Sequence, residues 1–487
     1  MKLFCVAGVL FFALTALGDP GVSARGDLFK RRTYETFGAL SLFVDTAGSD
    51  SNACTSSGAG ACLTIQGALA KVPQNIHHPV TITVGSGTFG CAYVGGFKFW
   101  APTSASAGAY LFLQGTFATS TVATGTATGT STAATAPALP TSFGTITDAA
   151  QTWTVNDLRG RFVIVGSVRA PIVSNTATVV TYGGAISIGT GAGLAYTIQD
   201  AATVMSGTPC DRPASGFVAS AGAGNAAMLW ISNGADNLYV PSTLTVQGFR
   251  FTNATGRAIQ LQDGSLQVNE CQFITTASPI LWDNTPSPGS RLSVDDSVFN
   301  LTAGTTGIAQ NLTSPGSNIL FVNGAVFYGA GIFGINIGPR FALITASSFA
   351  LTGAAPIAIR LASGEANVQL NRIDCGLVAS STGINVSAVN GFVAGAGVIS
   401  TDISNCITAL SSVNRSAATF GASVTGMANT TALNILTGGR VDIATTTTLT
   451  GTTEISLDGT TYTFAALRAL VPKQITDATT LSTVREP

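Results

Sequence analysis

Two carboxylates, Asp283 and Asp295, are the best candidates for a catalytic pair in this chain of 487 residues. Two Asp or Glu side chains about 5 to 9.5 Å apart on one exposed face can hydrolyse a glycosidic bond, one as acid and the other as base or nucleophile. Trp282 stands beside Asp283 and would offer its ring to a sugar. The three residues form a candidate carbohydrate site if they share one face.

The strand pattern places only one of two neighbouring aspartates on the outer face, and few other acids accompany it. Asp295 and Asp296 are adjacent in one predicted strand, so Asp295 faces outward, while Asp296 shares parity with Val294 and leans inward unless a bulge intervenes. The other outward residues are mostly Thr, Ser, Asn and Gly, whose hydroxyls and amides bind sugars but transfer protons poorly at neutral pH. We therefore predict a non-catalytic protein with a structural, adhesive or glycan-binding role and assign no catalytic residue. A polysaccharide lyase or glycosidase is the alternative, with Asp283 and Asp295 as the best candidate pair.

Other catalytic sites have less support. Lyase chemistry would use an acidic cluster with a nearby Arg, which Asp263, Glu270 and Arg257 supply without any recognisable motif. His77 and His78 are the only histidines, which excludes most histidine-based catalysis. The absence of a CxxC pair leaves a structural zinc site unsupported.

A short apolar phrase repeats every 22 to 28 residues from residue 244 onward, and it would position these side chains. Apolar residues occupy its first, third and last positions with a polar or small residue at the second, which is strand alternation. A further copy, VQLNRIDC, places Cys375 in the last position. The five other copies end in Phe, at Phe251, Phe273, Phe299, Phe327 and Phe349.

Two or three short strands per repeat, separated by turns, predict an all-β fold, a right-handed parallel β-helix. The Phe residues would stack inside it in one column. A β-sandwich is the alternative, but its strands would not keep the same phrase in the same position. The predicted β-helix rungs cover residues 207–460, and residues 461–487 form a C-terminal cap or tail.

The N-terminal part of the chain resembles the start of secreted proteins of the pectate-lyase-like superfamily. The matching segments are FVD (43–45), GSDSN (48–52), TIQGAL (64–69), VTITV (80–84) and GTF (87–89). The resemblance implies a parallel β-helix whose open end is covered by a short helix. The resemblance also implies that the partner could be a polysaccharide. Enzymes of this superfamily use paired carboxylates for hydrolysis, or calcium with a basic residue for lyase chemistry. It says little about activity, because enzymes, adhesins and phage fibres share this start.

The first 24 residues predict a secretory signal peptide. A single Lys, the apolar run from Leu3 to Leu17 and small residues before Arg25 have the required order. The run is too short for a stable membrane span. We expect a secreted or cell-surface protein whose mature form begins near Arg25. The alternative is a virion protein, a tail fibre or tailspike, which would be a trimer.

The region between these parts divides by composition. Residues 25–41 are a polar lead-in, and 42–102 form the N-terminal cap and first rungs, with a predicted amphipathic helix from Leu63 to Val72. Residues 103–206 interrupt the rung pattern with a Thr-rich linker and a β-rich insertion, whose predicted core is Trp153, Leu158, Phe162 and Val163.

The cysteines suggest disulfides in an exported chain. Cys54 and Cys62 bracket a Ser/Gly loop, and Cys91 and Cys210 flank the insertion, so we predict these two pairs. Cys271 and Cys375 fall on inward positions of the repeat and are expected to be buried thiols.

Charge excludes some partners. The net charge is −1 with no basic block, so nothing suggests nucleic-acid binding. Asp45 and the loop at 48–52 offer oxygen atoms at a density that permits calcium, although such loops are usually simple turns. No cofactor is otherwise predicted.

Overall fold

A computed structural model describes residues 35–99, 109–139, 142–184, 186–207, 227–232, 243–252, 257–262, 264–275, 278–282, 291–310, 318–338, 341–388, 394–421, 423–444, 447–477 and 479–486. Over these ranges the chain is a parallel β-solenoid of about 12 turns, with 55% strand and two short helices. The predicted fold class is confirmed. None of the described helices is long and apolar enough to cross a membrane. The predicted signal peptide lies outside the described residues.

Three stacked walls build the solenoid, and wall A is a sheet of 14 strands. All its neighbours pair in parallel except the last two strands, which form a hairpin. In spatial order the strands are Leu40–Val44, Val80–Val84, Leu111–Gln114, Thr243–Gln247, Ser265–Asn269, Arg291–Asp295, Ile319–Asn323, Phe341–Thr345, Gly364–Gln369, Ala394–Ile399, Ala417–Phe420, Arg440–Ile443, Thr483–Arg485 and Gln474–Thr476.

Walls B and C belong to one sheet of 21 strands. Wall B contains Gly87–Phe89, Thr203–Met205, Phe249–Phe251, Gln272–Thr275, Val298–Leu301, Val326–Gly329, Ser348–Leu351, Arg372–Asp374 and Asp402–Ser404. Wall C contains Ala92–Gly95, Ala227–Ser232, Arg257–Leu261, Ile280–Trp282, Thr306–Gln310, Phe333–Ile337, Ile357–Leu361, Thr382–Ser387 and Thr408–Val413. Two long strands, Thr425–Leu436 and Thr448–Leu457, run through both walls, and Thr460–Tyr462 pairs antiparallel with the second.

The predicted phenylalanine column is present in wall B. Neighbouring rings from residue 251 to residue 349 are stacked, with centroids 4.4 to 5.1 Å apart and planes within 13° of parallel. Small residues in wall C make room for the rings: a Cβ on Gly307 would lie 2.9 Å from the Phe327 ring, and one on Gly334 would lie 2.8 Å from the Phe349 ring. The column therefore depends on glycine in the facing wall.

Ile373, not Cys375, continues this column, because Phe349 registers with Ile373. The repeated phrase places Val368 opposite Ala342, the first residue of ALITASSF, but in the structure Val368 pairs with Ile344. The prediction for VQLNRIDC is therefore wrong by two residues. The expectation of a buried thiol at Cys375 is also wrong, because a disulfide joins Cys375 to Cys406 on the next rung, with 4.8 Å between the Cα atoms.

The remaining cysteines behave differently from one another. A disulfide joins Cys54 and Cys62, whose Cα atoms are 5.0 Å apart, and it closes the Ser/Gly loop. Cys271 is a buried free thiol, and burial raises its pKa to about 12, so it stays protonated at neutral pH. Cys91 is disulfide-bonded, and Cys210 lies outside the described residues.

In the rungs from residue 243 to residue 404, a sharp corner joins each strand of wall A to the next strand of wall B. One residue at each of these corners has a positive φ, which lets the chain turn within two residues. The corner residues are Gly248, Glu270, Asp296, Gly324, Ala346, Leu370 and Ser400. Asp296 therefore stands on a corner, and the parity of the preceding strand does not set its direction.

Short helices lie near both ends of the solenoid. Helix α1 (Ile65–Leu69) buries Ile65, Ala68 and Leu69, and its N-cap Thr64 accepts a hydrogen bond from the Gly67 backbone. The Asp50 carboxylate accepts from the Leu63 and Thr64 backbones at 3.0 and 2.9 Å, which fixes the start of the helix. A 3-10 turn, Gly58–Gly60, precedes α1, and strand Asn75–Ile76 pairs with Lys98–Phe99.

At the other end, helix α2 (Phe464–Arg468) buries Phe464 and Leu467. The hairpin of Gln474–Thr476 and Thr483–Arg485 continues wall A beyond its last long rung.

The insertion is a separate antiparallel sheet of eight strands, here called the insert. Its strands are Phe117–Thr119, Thr128–Thr130, Ala133–Thr135, Gly144–Thr147, Phe162–Val165, Val168–Asn175, Val179–Tyr182 and Ala195–Ala201. Trp153, Leu158 and Val163 lie in its core. The chain leaves wall A after strand Leu111–Gln114 and re-enters the solenoid in wall B with strand Thr203–Met205. Both strands belong to the rungs, although they lie within residues 103–206, the range expected for the insertion.

Candidate functional site

The outer face of wall A carries an unbroken column of polar side chains, here called the polar ladder. Each member sits in strand register with the next one, one rung or about 4.8 Å farther along the solenoid. The members are Gln114, Gln247, Asn269, Asp295, Asn323, Thr345 and Gln369. Leu, Val, Ile and Ala at the alternate positions of these strands are buried, so the ladder lies on the outer face, where Gln114 is exposed and the other members are half-buried.

Aromatic rings lie beside the middle of the ladder. Phe321 and Phe341 are partly exposed on neighbouring strands, with centroids 6.4 Å apart in an edge-to-face arrangement. The exposed Arg291 places its guanidinium 4.5 Å from the centre of the Phe321 ring. Because Phe321 and Asn323 share one strand and one face, ring and amide are presented together. We call Arg291, Phe321 and Phe341 the aromatic patch.

Asp295 is the carboxylate of the polar ladder. Its Oδ2 atom accepts hydrogen bonds from Ser293 Oγ at 3.0 Å and from Gln267 Nε2 at 3.2 Å. Both donors lie on the outer face of wall A, so they hold the carboxylate in place as an acceptor.

Two further carboxylates occupy the corners next to the ladder. Glu270 Oε2 accepts from Arg169 of the insert at 2.6 Å and from Gln247 Nε2 at 2.8 Å. Asp296 is only 9% exposed, and its Oδ1 atom has no hydrogen-bond partner. Burial, with repulsion from Asp295 and then Glu270, raises the pKa of Asp296 to about 7.

Of the predicted site residues that the structure describes, Asp295 and Trp282 do not share one face. Asp283 and Asp263 lie outside the described residues. Trp282 is fully buried in the core, so it cannot serve as a sugar platform. Strand Ile280–Trp282 explains the error: Ile280 points inward, and two residues later Trp282 must do the same.

The alternative lyase group is also divided between walls. Arg257 begins a strand of wall C and donates to Gln260 at 2.7 Å. Glu270 lies at the corner between walls A and B and is paired with Arg169. Arg257 and Glu270 therefore lie on different parts of the surface and do not form one lyase site.

The oxygen-rich loop near the N-terminus has structural partners for its carboxylates. Asp50 accepts hydrogen bonds from Leu63 and Thr64, and Asp45 Oδ1 accepts from the Ala47 backbone at 3.0 Å. Within the described ranges, no group of three or more His, Cys, Asp or Glu side chains is placed to hold a metal ion. The loop thus serves to fix α1.

No family model matches the sequence, and no curated protein matches it. Two solved structures are similar over most of their length. One is a glycoside hydrolase with 9% identity and a TM-score of 0.28, aligned over 85% of this chain and 94% of its own. The other is the tailspike gp61 of Pseudomonas phage phi297, with 10% identity, a TM-score of 0.25 and coverages of 80% and 74%.

The fold implied by the N-terminal resemblance is the observed fold. That assignment rests on the strand pairing of the chain itself, in which each wall is built from successive rungs in parallel register.

Sequence reasoning missed the polar ladder, although a signal for it exists. The fourth residue of each repeated phrase is an amide, carboxylate or hydroxyl, as in LTVQ, LQVN, LSVD, LFVN and ALIT. The register of wall A shows that these fourth residues form one column.

Proposed function

We propose that this chain is a non-catalytic protein displayed outside the cell, and that it binds glycans along the outer face of wall A. The observation that carries the proposal is the polar ladder with the aromatic patch beside it. Six steps of about 4.8 Å give the ladder a length of about 29 Å, enough to contact several sugar units in a row.

The chemistry of the ladder suits sugar hydroxyls. Amide side chains such as Asn323 and Gln369 offer both donors and acceptors, and the hydroxyl of Thr345 offers both as well. The Phe321 and Phe341 rings supply apolar surface for the C–H face of a sugar. Similar groups repeat at every rung, which favours a repeating polymer over a small molecule.

Binding without cleavage is supported by the hydrogen bonding, ion pairing and burial of the carboxylates near the polar ladder. The Asp295 carboxylate is held by Ser293 and Gln267, and Glu270 is neutralised by Arg169. Asp296 has the raised pKa that a general acid needs, but it is buried at a corner that faces Gly184 of the insert. The alternative, a polysaccharide lyase or glycosidase, would have to use acids outside this arrangement.

We expect Asn323→Ala and Phe321→Ala each to weaken glycan binding about tenfold, because each removes about 1 to 1.5 kcal/mol of hydrogen bonding or ring contact. The measurement is calorimetry with the best ligand from a panel of neutral and acidic polysaccharides. Asn385→Ala is the matched control, since Asn385 faces outward on wall C. Loss of binding in the control with retention in the wall A variants would place the ligand on another wall.

We expect no turnover of any polysaccharide in the same panel. Both new reducing ends and unsaturated products should be measured, because hydrolases give the first and lyases give both. Turnover that disappears in Asp283→Asn or Asp295→Asn would establish the enzyme alternative. Binding and turnover thus have separate readouts.

Export is part of the proposal and has its own test. Mass spectrometry of the protein from culture medium is expected to give an N-terminus near Arg25. An intact residue 1–17 segment in a phage particle, together with a trimer in solution, would establish the tailspike alternative instead.

A further inference from the structure

The seam between the insert and the β-helix contains a buried carboxyl group, that of Asp296, which no side chain of the described residues neutralises. We call the observed packing of the insert against the β-helix the seated form. We propose that protonation of Asp296 controls how much of the protein is in the seated form, and that acid favours this form. This inference is independent of glycan binding, because it concerns the join between two parts of the fold.

Neutral hydrogen bonds form one part of the seam. Gln272 of wall B is buried, and its Oε1 atom accepts from the Ala201 backbone of the insert at 3.0 Å. Its Nε2 atom donates to the Gly160 carbonyl at 2.8 Å and to Asp200 Oδ1 at 2.9 Å. One amide thus joins wall B to two segments of the insert.

An ion pair forms another part of the seam. Arg169 of the insert donates to Glu270 at 2.6 Å, and both side chains are about 15% exposed. The Arg169 guanidinium also lies 3.6 Å from the centre of the Phe117 ring. This arginine is therefore committed to Glu270 and is not free to neutralise a second carboxylate.

Asp296 occupies the corner one rung beyond Glu270. Its Oδ1 atom faces the backbones of Gly184 in the insert and Gly324 at the next corner, where a Cβ on Gly184 would lie 3.0 Å away and one on Gly324 would overlap the oxygen. Neither glycine brings a charge or a hydrogen bond to this atom.

The charged groups around Asp296 favour its neutral form. Asp295, from its own strand, and Glu270, from the preceding corner, both repel an ionised Asp296. Arg169 of the insert is bound to Glu270. The other charged groups at the seam, Arg159, Arg161, Arg250 and Asp200, act on Tyr328 of the next rung. Both histidines of the chain, His77 and His78, adjoin the N-terminal strand Asn75–Ile76, outside the seam.

The sign of the pH effect follows from these surroundings. In the seated form the pKa of Asp296 is about 7, whereas an exposed Asp has a value of 3.8. The seated form therefore binds the proton more tightly. Its advantage is full below the exposed value and is lost as the pH rises through the seated value. Between pH 5 and pH 8 the seating equilibrium should weaken on the order of 100-fold.

Hydrogen exchange of the Ala201 amide tests the proposal, because this amide is bonded to Gln272 across the seam. After correction for the intrinsic exchange rate, its protection in the full chain should fall roughly 100-fold from pH 5 to pH 8. The Ile198 amide donates within the insert, to the Ala127 carbonyl, and should keep its protection.

Two variants complete the test. Asp296→Asn should keep high protection of Ala201 at pH 8 and abolish the pH dependence. Asp295→Asn should keep the fall but move its midpoint to lower pH, because one repelling charge is gone. A flat profile in the unmodified protein, or an unchanged fall in Asp296→Asn, would overturn the proposal. If Asp296→Asn does not fold, the Asp295→Asn midpoint decides: a downward shift supports the proposal, and no shift refutes it.

Discussion

Replacing Phe299 by Ala is expected to lower the free energy of unfolding by about 3 to 5 kcal/mol. Phe299 is fully buried and lies between two parallel rings, with centroids 4.7 Å from Phe273 and 4.4 Å from Phe327. The rungs above and below fix the spacing of these rings through backbone hydrogen bonds, so the walls cannot collapse into the space. The substitution thus costs both the buried apolar area and a cavity.

Urea denaturation followed by circular dichroism measures this loss, and Phe321→Ala is the matched control. Phe321 is also a strand phenylalanine of a middle rung, but its ring lies on the outer face of wall A and is partly exposed. We expect the control to lose less than about 1 kcal/mol. Equal losses in the two variants would contradict the assignment of the inward column as the main source of stability.

Replacing Asn371 by Ala is expected to cost about 2 to 4 kcal/mol through unsatisfied backbone groups. Asn371 is fully buried beside the corner of its rung. Its Oδ1 atom accepts from the Ser347 backbone at 2.9 Å, and its Nδ2 atom donates to the Ile344 carbonyl at 2.8 Å. Alanine would leave a donor and an acceptor of the preceding rung without partners in a dry interior.

Asn367→Ala is the control for this prediction, because Asn367 is exposed on the adjoining strand of wall A. Its replacement should change the denaturation midpoint very little. Asn371→Ser should recover part of the loss, since Ser297 and Ser347 accept hydrogen bonds from backbone groups at the equivalent positions of other rungs. A loss at Asn371 no larger than that at Asn367 would rule out this role for the buried amide.

The repeated phrase was enough to predict wall A and the phenylalanine column of wall B. Strand alternation is a local property, and identical phrases at the same spacing put identical residues in the same environment. The register failed only where the phrase degenerated, at VQLNRIDC, and this error hid the continuation of the column at Ile373 and the Cys375–Cys406 disulfide.

The candidate site was predicted less well, for a different reason. Asp295 and Asp296 are neighbours in sequence, yet one is a held acceptor on the outer face and the other is buried at a seam. A corner with positive φ separates them, and alternation cannot foresee a corner at an acidic residue. Trp282 was misplaced because the three-residue strand that turns it inward carries too short a pattern to recognise.

The β-helix, its inward residues and the presence of an insertion could be predicted from the sequence, because they depend on periodicity along the chain. The membership of the polar ladder, and whether each carboxylate is exposed, paired or buried, became clear only from the three-dimensional arrangement. Those properties depend on register between rungs and on where the insert rests. The Arg169–Glu270 pair, for example, joins residues 101 positions apart, a separation over which local pattern carries no information.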